Sequence, residues 1–204
     1  MPATHHLKIV LKNTDPSIWR ELAVPSDLRL DRLHDVIQIV MGWEDDHLHE
    51  FSNGVRGPGE LRFGIQDDEF DDGLGPALRD EKKGILSDFA PRKGSKFRYW
   101  YDFGDDWVHE ITVKAIGAAE PGAPEAVCLK AAGACPPEDC GGPWGYMNLL
   151  TVLADPAHEE YEELREWVGS NWDPQRYDIV AANKALTKLA ARWRRPAPRL
   201  KASK

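Results

Sequence analysis

The sequence has few of the features that mark secreted, membrane or nucleotide-binding proteins. Its 204 residues contain only three cysteines, Cys128, Cys135 and Cys140, and this odd number indicates a reducing, cytoplasmic location rather than a disulfide framework. No apolar run approaches membrane-spanning length, and the opening MPATHHLKIV has no apolar signal segment, so no membrane association is expected. The chain also has no GxSxG elbow, phosphate-binding glycine loop or dinucleotide fingerprint. The common motifs of serine hydrolases and nucleotide-dependent enzymes are therefore absent.

Positive charge is scarce except at the C-terminal end. The formal net charge is -8, and residues 1–191 alone carry -14, because six lysines and arginines follow them. A body of this charge repels a phosphate backbone, so nucleic acid is expected to bind only through the basic segment 192–204. We predict that residues 1–193 form a single domain and that the basic tail 194–204 is disordered.

Hydrophobic periodicity predicts an α+β fold with a twisted, mainly antiparallel sheet. The order is strand, strand, helix, strand, strand and then a further hairpin, and the helix at 30–41 ends at Gly42 and covers one face of the sheet. Alternation of apolar and polar residues predicts the strands at 6–12, 18–24, 47–52, 60–64, 96–103 and 107–116. The sheet region therefore extends over about residues 6–117.

The C-terminal part of the chain is predicted to form a helical layer over about residues 143–193. A Gly/Ala/Pro-rich connection, GAAEPGAPEAV, precedes it. Apolar stripes then predict three helices, at 146–153, 161–168 and 178–193. The acidic stretch DDEFDD at 67–72 does not have calcium-loop spacing and is expected to be a solvated loop.

Two similar hexapeptides precede strand-like segments. DDHLHE occupies residues 45–50 and DDWVHE occupies residues 105–110. If both strands belong to one sheet, the polar heads of the hexapeptides can meet and form a site of metal-binding or proton-transferring side chains. The alternative is structural, because His49 and His109 are in phase with apolar neighbours and would then be core histidines.

Three interpretations of the reactive side chains are possible. Structural zinc would use Cys128, Cys135 and Cys140 with His109 or His49, although a spacing of C-x6-C-x4-C is not a typical signature. A hydrolase would hold a divalent ion on carboxylates, with His49 or His109 as general base; the carboxylates would be Asp46, Asp102 and Asp106. In the third interpretation the thiols are buried in the core, the carboxylates cap turns, and no cofactor binds.

Three longer motifs occur in a specific order. They are IWRELAVPSDLRLDRLHDVIQIVMGWEDDHLHEF, YDFGDDWVHEI and CPPEDCGGPWGY. From about residue 6 to the third C-terminal helix, the chain resembles the plasmid pRiA4b ORF-3-like family. The resemblance implies an α+β domain encoded on plasmids or beside transposon genes, and it implies that valine can replace Cys140. Some members carry a resolvase label, but this sequence shows no nucleophilic serine among arginines and no helix-turn-helix reader.

The residues that carry the family pattern include several polar side chains near the hexapeptides. The complete set of pattern residues is Trp19, Arg20, Pro25, His34, Gly42, Trp43, His47, His49, Tyr101, Asp102, Gly104, Asp105, Trp107, His109, Pro136, Pro137, Glu138, Asp139, Gly141 and Gly142. We therefore predict a polar pocket lined by His34, Asp46, His47, His49, Asp102, Asp105, Asp106, Trp107, His109, Glu138 and Asp139.

The predicted function is a cytoplasmic, non-enzymatic binding or accessory module that recognises a protein or small molecule through this pocket. No cofactor is expected for that function, and the residues are compatible with a divalent metal. The alternatives are a metal-dependent hydrolase that acts on a phosphoester and a nucleic-acid accessory protein that uses the basic tail.

Overall fold

A computed structural model of the chain describes residues 3–57, 59–66, 77–120, 122 and 124–194. Its eight strands form one sheet in the order β5-β4-β3-β6-β7-β1-β2-β8, and every neighbouring pair is antiparallel except β4 and β5. The strands are β1 Ala3–Leu11, β2 Trp19–Pro25, β3 His49–Ser52, β4 Arg62–Gly64, β5 Arg79–Asp80, β6 Lys96–Tyr101, β7 Trp107–Ala118 and β8 Val127–Ala132. The predicted α+β class is confirmed.

Five α-helices and one short 3-10 helix accompany the sheet in the described residues. The 3-10 helix is Glu81–Lys83, and the α-helices are α1 Leu30–Met41, α2 Leu86–Phe89, α3 Gly142–Leu153, α4 Tyr161–Val168 and α5 Ile179–Trp193. Over the same ranges, no helix combines the length and the apolar character that crossing a bilayer requires.

Helix α1 supplies much of the core that covers the sheet. Leu33, Ile37 and Val40 repeat at helical spacing and are fully buried. The helix ends at Gly42, whose φ of 102° is accessible to glycine and whose backbone N–H donates to the carbonyl of Gln38. This termination turns the chain toward the first hexapeptide, at one end of the sheet.

Several short elements have no counterpart in the sequence prediction. Strand β8 overlaps the end of the predicted connection, and its segment VCLKAA has no regular alternation of buried and exposed residues. Strand β5 has two residues and α2 has four, so neither is long enough to show a period. The acidic stretch 67–72 and tail residues 195–204 lie outside the described residues.

The edge strand β8 is covered by a side chain of α5. Asn183 Oδ1 accepts from the backbone N–H of Cys128 at 2.8 Å, and Asn183 Nδ2 donates to the Cys128 carbonyl at 2.9 Å. The amide group thus satisfies the donor and the acceptor that a further strand would have used at this position.

Arg20 connects the sheet to the helices from a fully buried position. Its guanidinium donates to the carbonyls of Val40 (2.6 Å), Trp19 (2.9 Å) and Ala132 (2.9 Å), and it stacks on the Tyr177 ring at 3.9 Å. Val40 lies in the last turn of α1, where carbonyls without helical partners attract positive charge.

Candidate functional site

The two hexapeptides enter the sheet at the same end. Strands β3 and β7 both pair with β6 in antiparallel fashion, so they run in the same direction. His49 lies opposite Tyr101, and Tyr101 lies opposite Trp107. The polar heads that precede these strands are therefore neighbours across β6.

The histidines inside the two strands face the core. His109 has no exposed surface, and its Nδ1 lies 3.2 Å from the carbonyl of Tyr99, to which it donates. The edge of its ring meets Trp43 in a T-shaped contact with ring centroids 5.2 Å apart. Burial lowers the pKa of His109 to about 4. The side chain is therefore a neutral core group at physiological pH.

His34 and His49 form a second buried polar group. Their rings stack in parallel with centroids 3.6 Å apart. His34 Nε2 donates to Asp45 at 2.7 Å and its Nδ1 accepts from the Tyr99 hydroxyl at 2.8 Å, while His49 Nε2 lies 2.7 Å from Glu81. Burial, and after it the neighbouring His49, lowers the pKa of His34 to about 3. Most ring nitrogens of this pair already have partners.

Four side chains from three segments form a pocket at the hexapeptide end of the sheet, which we call the acidic pocket. His47 Nε2 lies 3.3 Å from Asp139 Oδ1, 3.7 Å from Asp102 Oδ2 and 3.9 Å from Glu138 Oε2. The exposed side-chain fraction rises from 10% at Asp102 to 76% at Asp139. The pocket is thus closed at Asp102 and open to solvent at Asp139.

Hydrogen bonds to one carboxylate oxygen, Oε1, hold the Glu138 side chain in place. Its Oε1 accepts from the Tyr101 hydroxyl and from the backbone N–H of Glu44, both at 3.0 Å. Burial raises the pKa of the Glu138 carboxyl and also that of Tyr101. These bonds leave the second oxygen, Oε2, directed toward His47.

Asp102 is held in the same manner by the turn between β6 and β7. Its Oδ1 accepts from the backbone N–H groups of Gly104 (2.9 Å) and Asp105 (3.3 Å). Asp105 Oδ2 in turn accepts from the N–H of Gly141 at 3.1 Å, which connects this turn to the loop that carries Glu138 and Asp139.

Comparison with known proteins identifies the family of this chain. The family model described as "Plasmid pRiA4b ORF-3-like protein" matches residues 3–181. The chain belongs to the plasmid pRiA4b ORF-3-like family. It is 42% identical over 198 residues to the uncharacterized protein y4hQ of Sinorhizobium fredii strain NGR234, with 95% of each protein covered. The predicted family is confirmed.

A solved structure supports the fold of this pRiA4b ORF-3-like chain. The crystal structure of the protein of unknown function MM3350 from Methanosarcina mazei Go1 is similar with a TM-score of 0.77 and 38% sequence identity. The similarity covers 88% of this chain and 97% of that chain. The names of these relatives specify no ligand.

The other predicted pocket residues of this pRiA4b ORF-3-like protein lie in different surroundings. Asp46 is exposed, and its backbone N–H donates to the Tyr101 hydroxyl at 3.2 Å. Asp106 lines a separate cavity of about 430 Å³ with Arg98 and Val108. Trp107 is fully buried in the core. The structure therefore brings His47, Asp102, Glu138 and Asp139 together and leaves Asp46, Asp106 and Trp107 outside that group.

The three cysteines are free thiols. Burial raises the pKa of Cys128, raises that of Cys140 to about 12 and raises that of Cys135 well above the usual value. Among the described residues, the groups with metal-compatible geometry are His34 with Asp45 and His49, and His47 with Asp102 and Asp139. Neither group contains a cysteine or His109.

Sequence reasoning did not include several residues of these groups. Asp45 pairs with His34, whereas the prediction selected the adjacent Asp46. Glu81 had no motif that connected it with His49. Tyr101 was named in the family pattern but not as a pocket residue. The DD pair of the hexapeptide was the available signal for Asp45, but it does not distinguish Asp45 from Asp46.

A cleft of about 740 Å³ lies beside the acidic pocket. Its walls come from the end of α1, the loop 134–138, α4 and the beginning of α5. Glu138 lines both the cleft and the acidic pocket. The cleft is also lined by Glu44, Asp46, Trp167, Trp172, Arg176, Tyr177 and Asp178.

Proposed function

We propose that this pRiA4b ORF-3-like protein is a non-enzymatic, cytoplasmic binding module that recognises a basic segment of a partner protein in the cleft. The observation that carries the proposal is the combination of carboxylates and aromatic rings around one opening of about 740 Å³. That volume is within the usual range of ligand sites, about 300 to 1,000 Å³.

The charge of the cleft favours a cationic ligand. Four carboxylates line it, and Arg176 is the one cationic side chain among the described lining residues; the carboxylates belong to Glu44, Asp46, Glu138 and Asp178. Complementary charge increases the rate of association and discriminates against acidic partners. A lysine or arginine side chain is therefore the group that the cleft accommodates best.

The aromatic lining favours the same ligand. Trp167 is 49% exposed, so half of a large ring is available to a partner. Trp172 and Tyr177 line the same opening. Aromatic faces attract guanidinium and ammonium groups, and tryptophan and tyrosine contribute strongly to protein interfaces.

A peptide-binding measurement tests the proposal. Two fluorescein-labelled octapeptides, one alternating arginine with leucine and the other alternating glutamate with leucine, are titrated with the protein and followed by anisotropy. We expect the arginine peptide to bind with a salt-dependent affinity and the glutamate peptide not to bind. Equal binding of both peptides would overturn the proposal.

Variants locate the binding surface. The double substitution Glu44→Gln, Asp46→Asn removes two exposed charges, and Trp167→Ala removes the exposed ring. We expect each variant to lower the affinity for the arginine peptide by about tenfold or more. The control Glu162→Gln, Glu163→Gln removes two exposed charges from α4 without affecting residues that line the cleft. Equal loss of affinity in this control would assign the binding to net charge alone.

A metal-dependent hydrolase is the second candidate, and the convergence of His47 with carboxylates favours it. The histidines predicted as general bases are less suitable, since His49 and His109 are both buried. Steady turnover of bis(p-nitrophenyl) phosphate that ceases on chelation and in His47→Ala would favour this candidate over the binding module.

A further inference from the structure

We propose that the acidic pocket is a site for a divalent transition-metal ion, coordinated by His47 Nε2, Asp102 Oδ2, Glu138 Oε2 and Asp139 Oδ1. This inference goes beyond the proposed function, because peptide binding in the cleft requires no metal. With neutral His47, the three carboxylates and a doubly charged ion sum to -1, so an occupied pocket would still favour a basic partner.

Two buried atoms of the pocket have no hydrogen-bond partner. They are His47 Nε2 and Glu138 Oε2, which lie 3.9 Å apart. A buried polar atom without a partner destabilises a native structure, so such atoms indicate an additional ligand, water or ion at that place. A cation between these two atoms would satisfy both.

The carboxylates are oriented as metal ligands usually are. Asp102 and Glu138 each use one oxygen to accept two hydrogen bonds, from backbone N–H groups or the Tyr101 hydroxyl, and direct the other oxygen at His47. Such outer hydrogen bonds fix the ligand orientation before the ion arrives. Only 10% of the Asp102 side-chain surface is exposed, so packing also restricts its rotamer.

The distances from His47 to the carboxylates are close to, and partly longer than, those around one bound ion. Ligand atoms bonded to a metal at about 2.0 to 2.2 Å lie about 3.0 to 3.5 Å from one another. The three carboxylate oxygens lie 3.3, 3.7 and 3.9 Å from His47 Nε2. The ligand atoms of His47, Asp102 and Asp139 also lie within 4.8 Å of one another, and Glu138 Oε2 would complete the coordination sphere by moving toward His47. These distances exceed those of good hydrogen bonds, so the atoms are gathered without being bonded to one another.

The other histidine group does not meet these conditions. A metal ion lies close to the plane of an imidazole ligand, and the rings of His34 and His49 are parallel and 3.6 Å apart. A single ion cannot lie in both planes. In addition, both nitrogens of His34 and Nε2 of His49 already have hydrogen-bond partners.

The ligand set determines the class of ion. One imidazole nitrogen and three carboxylate oxygens suit manganese or zinc, whereas copper(I) prefers sulfur ligands and magnesium prefers oxygen and water. The exposed Asp139 gives the ion a path from solvent.

Titration of the full chain, purified without a polyhistidine tag and freed of metal, tests this site. Zn²⁺ binding is measured by calorimetry, and Mn²⁺ binding by the loss of the free-ion EPR signal. We expect one ion per chain. Asp139→Asn and His47→Ala should each weaken binding by at least about tenfold. Asp139→Asn is the safer variant for folding, because its side chain is mostly exposed.

Matched controls separate this site from surface binding. Asp173→Asn and His158→Ala change the same residue types at positions outside the pocket and should leave the affinity unchanged. Absence of binding at millimolar metal, or equal affinity in the pocket variants and controls, would overturn the metal site. Neither result bears on binding of the arginine octapeptide, so the two proposals fail separately.

Discussion

At the scale of single residues, Arg20 shows how a buried charge can be stabilised without a carboxylate. Within the described residues no acidic side chain pairs with it, and its partners are three backbone carbonyls and the Tyr177 ring. Burial lowers the pKa of Arg20, but an arginine retains its proton in proteins. Its planar group reaches several acceptors at once, which a single ammonium cannot reproduce.

We therefore expect Arg20→Lys to destabilise the protein by about 3 kcal/mol, because it removes hydrogen bonds to the Val40, Trp19 and Ala132 carbonyls and the contact with the Tyr177 ring. Chemical denaturation followed by tryptophan fluorescence measures the change. Arg92→Lys, at an exposed position, should alter the free energy of unfolding by less than about 0.5 kcal/mol. Equal effects of the two substitutions would contradict a structural role for the Arg20 guanidinium.

The polar pocket was only partly predictable at this scale. His47, Asp102, Glu138 and Asp139 were all among the predicted residues, because polar residues cluster beside the motifs. Their grouping was not predictable, since it depends on which oxygen of a carboxylate is occupied by a backbone donor. The location of Asp106 at a different cavity also required the structure.

At the scale of elements, the loop that carries Glu138 and Asp139 depends on glycines at the beginning of α3. Gly142 has a φ of 66°, and a Cβ there would overlap the Asp105 carbonyl. Gly145 lies inside the helix, where a Cβ would overlap the carbonyl oxygen of Cys140. The loop and the helix are therefore packed backbone against backbone, which fixes one side of the acidic pocket.

Alanine in place of glycine usually stabilises a helix by about 1 kcal/mol. We expect the opposite for Gly145→Ala, a loss of about 2 kcal/mol, because the added methyl group displaces the Cys140 segment. Thermal and chemical denaturation measure the effect. Gly117→Ala is the control, since a Cβ there has no atom within 4 Å. A stabilised Gly145→Ala variant would show that the Cys140 segment can move without loss of stability and would contradict this prediction.

Long elements with a clear period were the predictable part of the fold. Helix α1 has the predicted bounds, and the hairpin of β6 and β7 follows the predicted alternation. Strand β8 was not recognised because its pairing with β2, rather than its own pattern, determines its conformation. The convergence of the two hexapeptides followed from the shared neighbour β6, which the sequence left undetermined.

At the scale of the whole molecule, two buried histidines connect stability to pH. The pKa of His34 is about 3 and that of His109 about 4, both below the ordinary value of about 6.5. Below pH 6.5 the unfolded chain takes up protons at these positions, whereas the folded chain remains unprotonated until near pH 4. Their contribution to stability is therefore complete above pH 6.5 and is lost as the pH falls.

We expect each histidine to contribute a slope of about 1.4 kcal/mol per pH unit between about pH 6 and pH 4.5. Denaturant titrations at several pH values measure it. His109→Asn retains a donor for the Tyr99 carbonyl and removes the titrating ring, so its slope should be shallower than that of the native chain by that amount. His158→Asn should leave the slope unchanged. An identical slope in His109→Asn would contradict the assignment.

The sheet edge at β8 provides a further prediction. Asn183→Leu removes the amide that bonds both backbone groups of Cys128. We expect the variant to associate in a concentration-dependent manner, because an open strand edge pairs with other chains. Light scattering coupled to size-exclusion chromatography measures the mass. Asn171→Leu, an equally apolar change at an exposed position, should leave the mass unchanged.

The cover of this edge also has a consequence for synthesis of the protein. Strand β8 and its sheet partner β2 leave the ribosome well before α5, which carries Asn183. Until translation has passed residue 183, the β8 edge of the nascent chain has no internal partner for Cys128. Neighbouring nascent chains on one polysome can therefore pair at this edge, so chaperone protection matters in the interval between the emergence of β8 and that of Asn183.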